Sequence, residues 1–474
     1  MLEKSIKELS RLLLDKEVSS VDLVNESLSQ IKRYDSKLKS FITVRDEKIL
    51  VSEAEKLDKN RKPDSSPLHG IPFSLKDAYV TKNVRTTAGS KFLYSFMSPY
   101  NATVYEKLKN AGAILIGKNN QDAWGHGGSN ENTDYGVTKN PWDTTRTSGG
   151  SSGGSAVSIS AEMVGFAIGE DTGGSIRNPS SWCNVSGLKV TYGRVSRYGA
   201  IAYASSLDTV GPMAKSVEDL SLILNEIAGK DILDASSSSA SVDDYYLKIN
   251  HDISGKIIGI PIEFMDDGID PEIKKSVLDV AGTFKKMGAK IVDVSIPFLK
   301  HSISIYYMIA TSETSSNLGR YDGIRYGTSR KDLSPETVRR IILGTYALSA
   351  GYADKLYKNA QKARTILINE YNVAFEQCDV LLGPVTPMLP PKIGELINNP
   401  LQNMLADLYT TTINIVGVPS LAIPSGFSKN NLPIGIQIIG KKFHEAEILN
   451  IGHEYQKLTN WHTTKPKIKW ININ

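Results

Sequence analysis

Apolar residues along this chain recur at two spacings, every three to four residues or in short unbroken runs, and these separate helices from strands. Ile6, Leu9, Leu12, Leu13 and Leu14 recur at helical spacing, and Ser19-Ser20 opens a second amphipathic segment carrying Val21, Leu23, Val24, Leu28 and Ile31. Both are packing helices without chemistry of their own. Leu68-His69-Gly70-Ile71-Pro72-Phe73-Ser74-Leu75-Lys76-Asp77 contains a short apolar strand that delivers a lone Lys76. Such a lysine is usually the solvent-facing end of a strand, so its interest depends on what converges there. Thr103 to Ala113 predicts a helix ending near Gly112, followed by a strand at Ile114-Leu115-Ile116 and a loop at Gly117-Lys118-Asn119-Asn120. That is a β-α-β rhythm.

Gln121 to Arg146 is polar and rich in Gly and Asn, which predicts irregular loops over one edge of the sheet. Strand and turn follow at 187–196, a helix at 216–227, and a flexible loop at Ser236 to Val242, which is nearly all Ser, Ala and Asp. A second α/β unit follows: strand Ile257-Ile258-Gly259-Ile260-Pro261, helix Pro271 to Met287, and strand Lys290 to Val294. Helical pattern fills Ile303 to Asn317 and Pro335 to Gln377, with strands at 379–383, 420–424 and 434–439. No period of 20 to 50 residues recurs, which excludes a solenoid. Strands spread to the end of the chain argue for one intermixed α/β fold.

Composition narrows the class. The 474 residues are 40% hydrophobic and 22% charged, as in a core-forming globular protein. Lys plus Arg number 55 against 51 Asp plus Glu, and a formal +4 spread over this length does not by itself predict nucleic-acid binding. Cys183 and Cys378 are too few for a disulfide framework and fit a reducing compartment. Met1 to Lys7 lacks the apolar core of a signal peptide, and no run approaches the roughly 18 apolar residues of a membrane span. A soluble, cytoplasmic protein is expected.

The candidate chemistry lies between Thr147 and Arg177. T-S-G-G-S-S-G-G-S-A leads into apolar sequence and then G-E-D-T-G-G-S-I-R. So bare a backbone suits a tight turn that brings N–H groups and hydroxyls close to something small. A flexible linker has similar composition, but linkers are not joined directly to core sequence such as Ala156 to Ala161. A P-loop needs lysine after its last glycine, where Ser155 stands. A hydrolase elbow needs a buried strand before Gly149, and Asn140 to Arg146 is none. The seven histidines are scattered, none in a motif beside a serine. A lysine can replace histidine as base if burial lowers its pKa from about 10.4 towards 7, at roughly 4 kcal/mol for three units. Lys76 is placed for that, and no Cys/His cluster has metal-ligand spacing.

Lys76 in S-L-K-D, Ser151 in G-G-S-S-G-G-S-A and Ser175 in D-T-G-G-S-I-R-N-P, in that order, resemble the amidase signature family. Within it, the blocks at 187–212, 315–327 and 339–352 are similar to the A subunits of glutamyl-tRNA(Gln)/aspartyl-tRNA(Asn) amidotransferases. Ser148 replaces a proline usual there, Q-D-A-W-G-H-G-G at 121–128 departs from the family loop, and the 327–339 link is shorter. The resemblance implies a single α/β domain over 1–474 with a mixed central β-sheet covered by helices on both faces. N-terminal helices would occupy about 1–60, the signature core about 66–215 and a C-terminal α/β half about 250–460. It also implies Ser175 as nucleophile, Ser151 as bridging serine, Lys76 as base, and the N–H groups of Thr172, Gly173, Gly174 and Ser175 as oxyanion hole. Glutamine would be held by Arg340 on its α-carboxylate and Asp407 on its α-amino group, with Tyr306 nearby. On sequence pattern alone, Arg340 is equally a solvated helix face and Asp407 a cap or ion pair. No cofactor is implied in this subunit. ATP and Mg²⁺ would act in a partner B subunit that carries mischarged Glu-tRNA(Gln) or Asp-tRNA(Asn), with a small C subunit bracing the two. A stand-alone amidase acting on another carboxamide is the alternative.

Overall fold

The computed structural model describes residues 1–468 apart from 267, 326 and 398. Among the described residues, eleven strands share one sheet: β1 (Phe41–Val44), β2 (Pro72–Lys76), β3 (Ile114–Asn119), β4 (Phe166–Asp171), β5 (Ser186–Lys189), β6 (Thr209–Ala214), β7 (Ile257–Pro261), β8 (Lys290–Val294), β9 (Val380–Pro384), β10 (Ser420–Phe427) and β11 (Pro433–Ile439). Their order is β1-β3-β2-β4-β6-β5-β10-β11-β9-β7-β8. β2 runs parallel to β3 and β4, and β7 parallel to β8 and β9, whereas the neighbours between these groups are antiparallel. The expected mixed α/β sheet is therefore present, built from strands of both halves of the chain.

Period-two alternation assigns the two faces of the sheet. Along β4, Phe166 and Ile168 enter one apolar core with Leu9 and Ile223, whereas Ala167 between them enters another with Val24 and Val157. Helices thus cover both faces, and the strands read as apolar runs because neither face meets water. The first two helices begin where their caps predict. Ser5 with Glu8 and Ser19 with Asp22 form reciprocal capping boxes ahead of helices Ile6–Leu14 and Ser20–Leu38. No helix among the described residues is long and apolar enough to cross a membrane.

Two local expectations fail. Gly117 to Asn119, expected as loop, continue β3, and Lys118 is fully buried with Nζ 3.5 Å from Asp77 Oδ1. Residues 121–146 form irregular loops as expected, and 121–131 among them are buried apart from half-buried Gly127. They wrap Asp122, whose carboxylate accepts the N–H groups of Asn130 (2.9 Å) and Asn132 (3.0 Å). The Ser236–Val242 loop is pinned: Arg194 donates to the Ser241 carbonyl (2.7 Å), Arg197 to Ser236 Oγ (2.8 Å), and the Ser238 N–H to the Gly193 carbonyl (2.8 Å). The helical pattern from Pro335 to Gln377 resolves into two helices, Pro335–Leu348 and Tyr357–Gln377.

Candidate active site

β2 and β4 are parallel and in register, Leu75 beside Ile168, so both end at the same edge of the sheet. That edge receives Lys76 from β2 and Glu170 and Asp171 from β4. The chain leaves Asp171 through Thr172 to Ile176 into helix Arg177–Cys183, and Gly149 to Ser152 reach the same edge ahead of helix Gly153–Ser160. Lys76 Nζ lies 2.7 Å from Ser151 Oγ, 3.3 Å from the Glu170 carbonyl and 3.4 Å from Glu170 Oε2. Burial lowers the lysine below its ordinary value of 10.5, with the Glu170 carboxylate working against that. A strand-end lysine that would normally face water is here enclosed against a hydroxyl.

Ser151 follows a cis peptide bond from Gly150, and it is 1% exposed. Gly150 is required by close approach, since a Cβ there would fall 2.1 Å from Asp122 Oδ2. Ser175 is 7% exposed, and its carbonyl accepts the Ser152 N–H at 3.1 Å. No hydrogen bond joins the Ser151 and Ser175 hydroxyls.

The loop that carries Ser175 is organised by Asp171. Its carboxylate accepts the N–H groups of Gly174 (2.8 Å) and Ile176 (3.0 Å) and pairs with both Nε and Nη2 of Arg177 at 3.1 Å. Burial pushes this carboxyl up, but the Arg177 guanidinium prevails and holds it well below the usual carboxylate range. Of the expected oxyanion-hole N–H groups, that of Gly174 is held by Asp171 here, whereas those of Thr172, Gly173 and Ser175 are without hydrogen-bond partners among the described residues and are free to meet a developing oxyanion. Sequence reasoning missed Asp171 and Arg177, although D-T-G-G-S-I-R contains both.

The residues expected to hold substrate gather above this loop. Tyr306 lies against Gly173, where a Cβ would fall 2.6 Å from its ring and hydroxyl. Its hydroxyl donates to Tyr203 Oη at 3.4 Å, and Arg340 Nη1 donates to the same oxygen. Arg340 is 5% exposed, anchored by Glu336 Oε1 at 2.7 Å and stacked near Tyr307, so it is no solvated helix face. Asp407, between helices Pro400–Ala406 and Leu408–Val416, neither caps a helix through its side chain nor forms an ion pair among the described residues. Its carboxylate lies beside Gly128, and burial pushes it up to about 7 against the pull of Arg340. A cavity of about 370 Å³ bordered by Asp122, His126, Glu336 and Asn403 adjoins this group. Tyr203 was invisible in the sequence, because it joins Arg340 only through the fold. Among the described residues no group of three or more His, Cys, Asp or Glu could hold a metal ion.

The Amidase family matches residues 22–449, a span that contains every residue just described. The chain belongs to the amidase family. Curated relatives of this amidase include the A subunit of the glutamyl-tRNA(Gln) amidotransferase of Desulfatibacillum aliphaticivorans, 45% identical over 98% of the chain and 99% of the relative. Its counterpart from Nitrosomonas europaea is 44% identical over 98% and 99%. The crystal structure of the glutamyl-tRNA(Gln) amidotransferase A subunit from Thermotoga maritima is similar with a TM-score of 0.86 and 37% identity, covering 99% of each chain. In this amidase the fold brings Lys76 to Ser151, sets Ser175 in a loop clamped by Asp171, and roofs that loop with Tyr306.

Proposed function

We propose that this amidase is the glutaminase subunit of a tRNA-dependent amidotransferase. The observation that carries the reading is its similarity, over nearly the whole length, to relatives bearing that name. Ser175 Oγ attacks the side-chain carbonyl carbon of glutamine while its proton passes through Ser151 to neutral Lys76. The oxyanion rests on the Thr172, Gly173 and Ser175 N–H groups. The proton returns to the departing nitrogen, ammonia leaves, and water hydrolyses the glutamyl ester on Ser175. The protein works in the cytoplasm and hands ammonia to a B subunit, where ATP and Mg²⁺ activate mischarged Glu-tRNA(Gln) or Asp-tRNA(Asn), with a C subunit bracing the pair. The glutaminase half itself needs no cofactor.

Head-group recognition separates this reading from a stand-alone amidase. Arg340→Ala and Asp407→Ala each delete a charge-assisted contact of about 1.5–3 kcal/mol, so the KM for glutamine rises on the order of ten- to a hundredfold. A simple amide without an amino-acid head group is turned over as before. Because Asp407 is held up near 7 and must be ionised to receive an ammonium, glutamine binding also weakens as pH falls through that value. Glutamine kinetics insensitive to both substitutions, with good turnover of simple amides by the unaltered protein, refute the glutamine assignment.

Gly173→Ala probes the roof. The new methyl would meet the Tyr306 ring at 2.6 Å, so the tyrosine or the loop shifts. Overpacking of about 1–3 kcal/mol is expected, and turnover of glutamine falls about tenfold or more. Unchanged kinetics would mean that Tyr306 takes no part in forming the pocket.

A further inference from the structure

Lys76 touches more than the serine it serves. Glu170 Oε2 lies 3.4 Å from Nζ, both side chains being 2% exposed or less, and Glu170 Oε1 has no hydrogen-bond partner. Behind this carboxylate is a second cavity, of about 230 Å³, bordered by Glu170, Arg197, Asp208 and Thr209 and reaching the surface at exposed Leu233. It shares none of its lining with the cavity beside Arg340. The Ser-Ser-Lys relay leaves this acid without a task.

We propose that Glu170 is a positioning residue for Lys76: its carboxylate aims Nζ at Ser151 and holds a proton on it, thereby setting the pH at which the base becomes available. The inference rests on reading Lys76 as the base. The proton balance is simple. At low pH Nζ is an ammonium paired with the Glu170 carboxylate; raising the pH removes one proton through the cavity to solvent and leaves a neutral amine hydrogen-bonded to Ser151.

The charges around the pair support this. Lys76, at the end of β2, faces Glu170 and Asp171 from β4 and Asp122 from the 121–131 loop. Glu170 faces Lys76, Arg197 from the 190–200 loop and Asp171 from its own strand, and Asp208 faces Glu170 from ahead of β6. The Tyr79 hydroxyl is spent on the Gly169 carbonyl at 2.7 Å. Arg197 is the one cation among these that opposes Lys76 across the carboxylate. Deleting Glu170 and deleting Arg197 must therefore move the lysine in opposite directions.

The test uses phenylmethanesulfonyl fluoride, which forms an O–S bond with an activated serine as fluoride leaves and the base takes the proton. Its rate of addition to Ser175, followed by intact mass and peptide mapping, reports neutral Lys76 whatever the natural amide is. Glu170→Gln is expected to move the midpoint of the pH–rate curve to lower pH by about one unit or more. Glu170→Asp, which restores the charge, moves it back, and Arg197→Gln moves it to higher pH. Should Glu170→Gln not fold, Arg197→Gln decides alone. A midpoint that stays in place, or moves the other way, overturns the proposal. If the midpoint shifts but glutamine is not hydrolysed, the glutaminase reading fails and the tuning stands; if glutamine is hydrolysed and the midpoint stays, only the tuning fails.

Discussion

Ser175→Ala abolishes ammonia release from glutamine, by on the order of a millionfold in kcat, and leaves folding and partner binding intact. The size follows from losing the atom that forms the acyl bond; with no ester there is no second half-reaction to rescue. The fold survives because the loop is held elsewhere. Asp171 grips the Gly174 and Ile176 N–H groups, Thr410 Oγ1 donates to the Gly173 carbonyl at 2.7 Å, and Ser175 contributes only its carbonyl to Ser152. Ammonia release, the thermal unfolding midpoint and co-purification with the partner subunits check the three parts. Near-normal glutaminase activity would remove Ser175 from the role of nucleophile.

The elements legible in the sequence were those whose cause is local. Ser5 and Ser19 cap the first two helices with partners three residues away, and β2 and β3 read as strands because an apolar run buried on both faces looks the same wherever it pairs. Lys118 misled for the opposite reason. Gly-Lys-Asn-Asn has the composition of a loop, and only partners brought in by the fold, the Asp77 carboxylate just past β2, the Tyr79 carbonyl and the Thr86 hydroxyl, make it possible to enclose that lysine inside the sheet. The Ser236–Val242 loop likewise looks loose until Arg194 and Arg197 are seen to tie it down.

The same division runs through the site. Lys76, Ser151 and Ser175 each stand in a run whose backbone chemistry is visible in one dimension, so they could be singled out in order. Arg340 could not be told from a solvated helix residue, because its burial depends on Tyr203, 137 residues away. Glu170 and Asp171 are, in one dimension, only two letters of a motif. Their tasks diverge because neighbours on a strand point to opposite faces: one carboxylate goes to Lys76, the other to Arg177.

Lys76→Arg is expected to be nearly as damaging as Lys76→Ala, although it keeps charge and length. Lys76 is buried, and that burial lowers its proton affinity and so favours the neutral amine. Guanidinium does not lose its proton in proteins, so arginine here stays cationic and has no lone pair to accept a proton from Ser151. Its larger planar head must also fit where Nζ meets Ser151 Oγ at 2.7 Å and the Glu170 carbonyl at 3.3 Å. The sign of the pH dependence follows from the same shift. The active form is the unprotonated one and the folded value lies below 10.5, so the rate rises with pH through a midpoint below that figure and is lost as Lys76 gains its proton. Measured kcat/KM for glutamine should show that acid limb in the unaltered protein and no recovery at high pH in Lys76→Arg. Substantial activity in the arginine variant would make Lys76 a structural cation and would leave Ser151 hydrogen-bonded to a group that cannot take its proton.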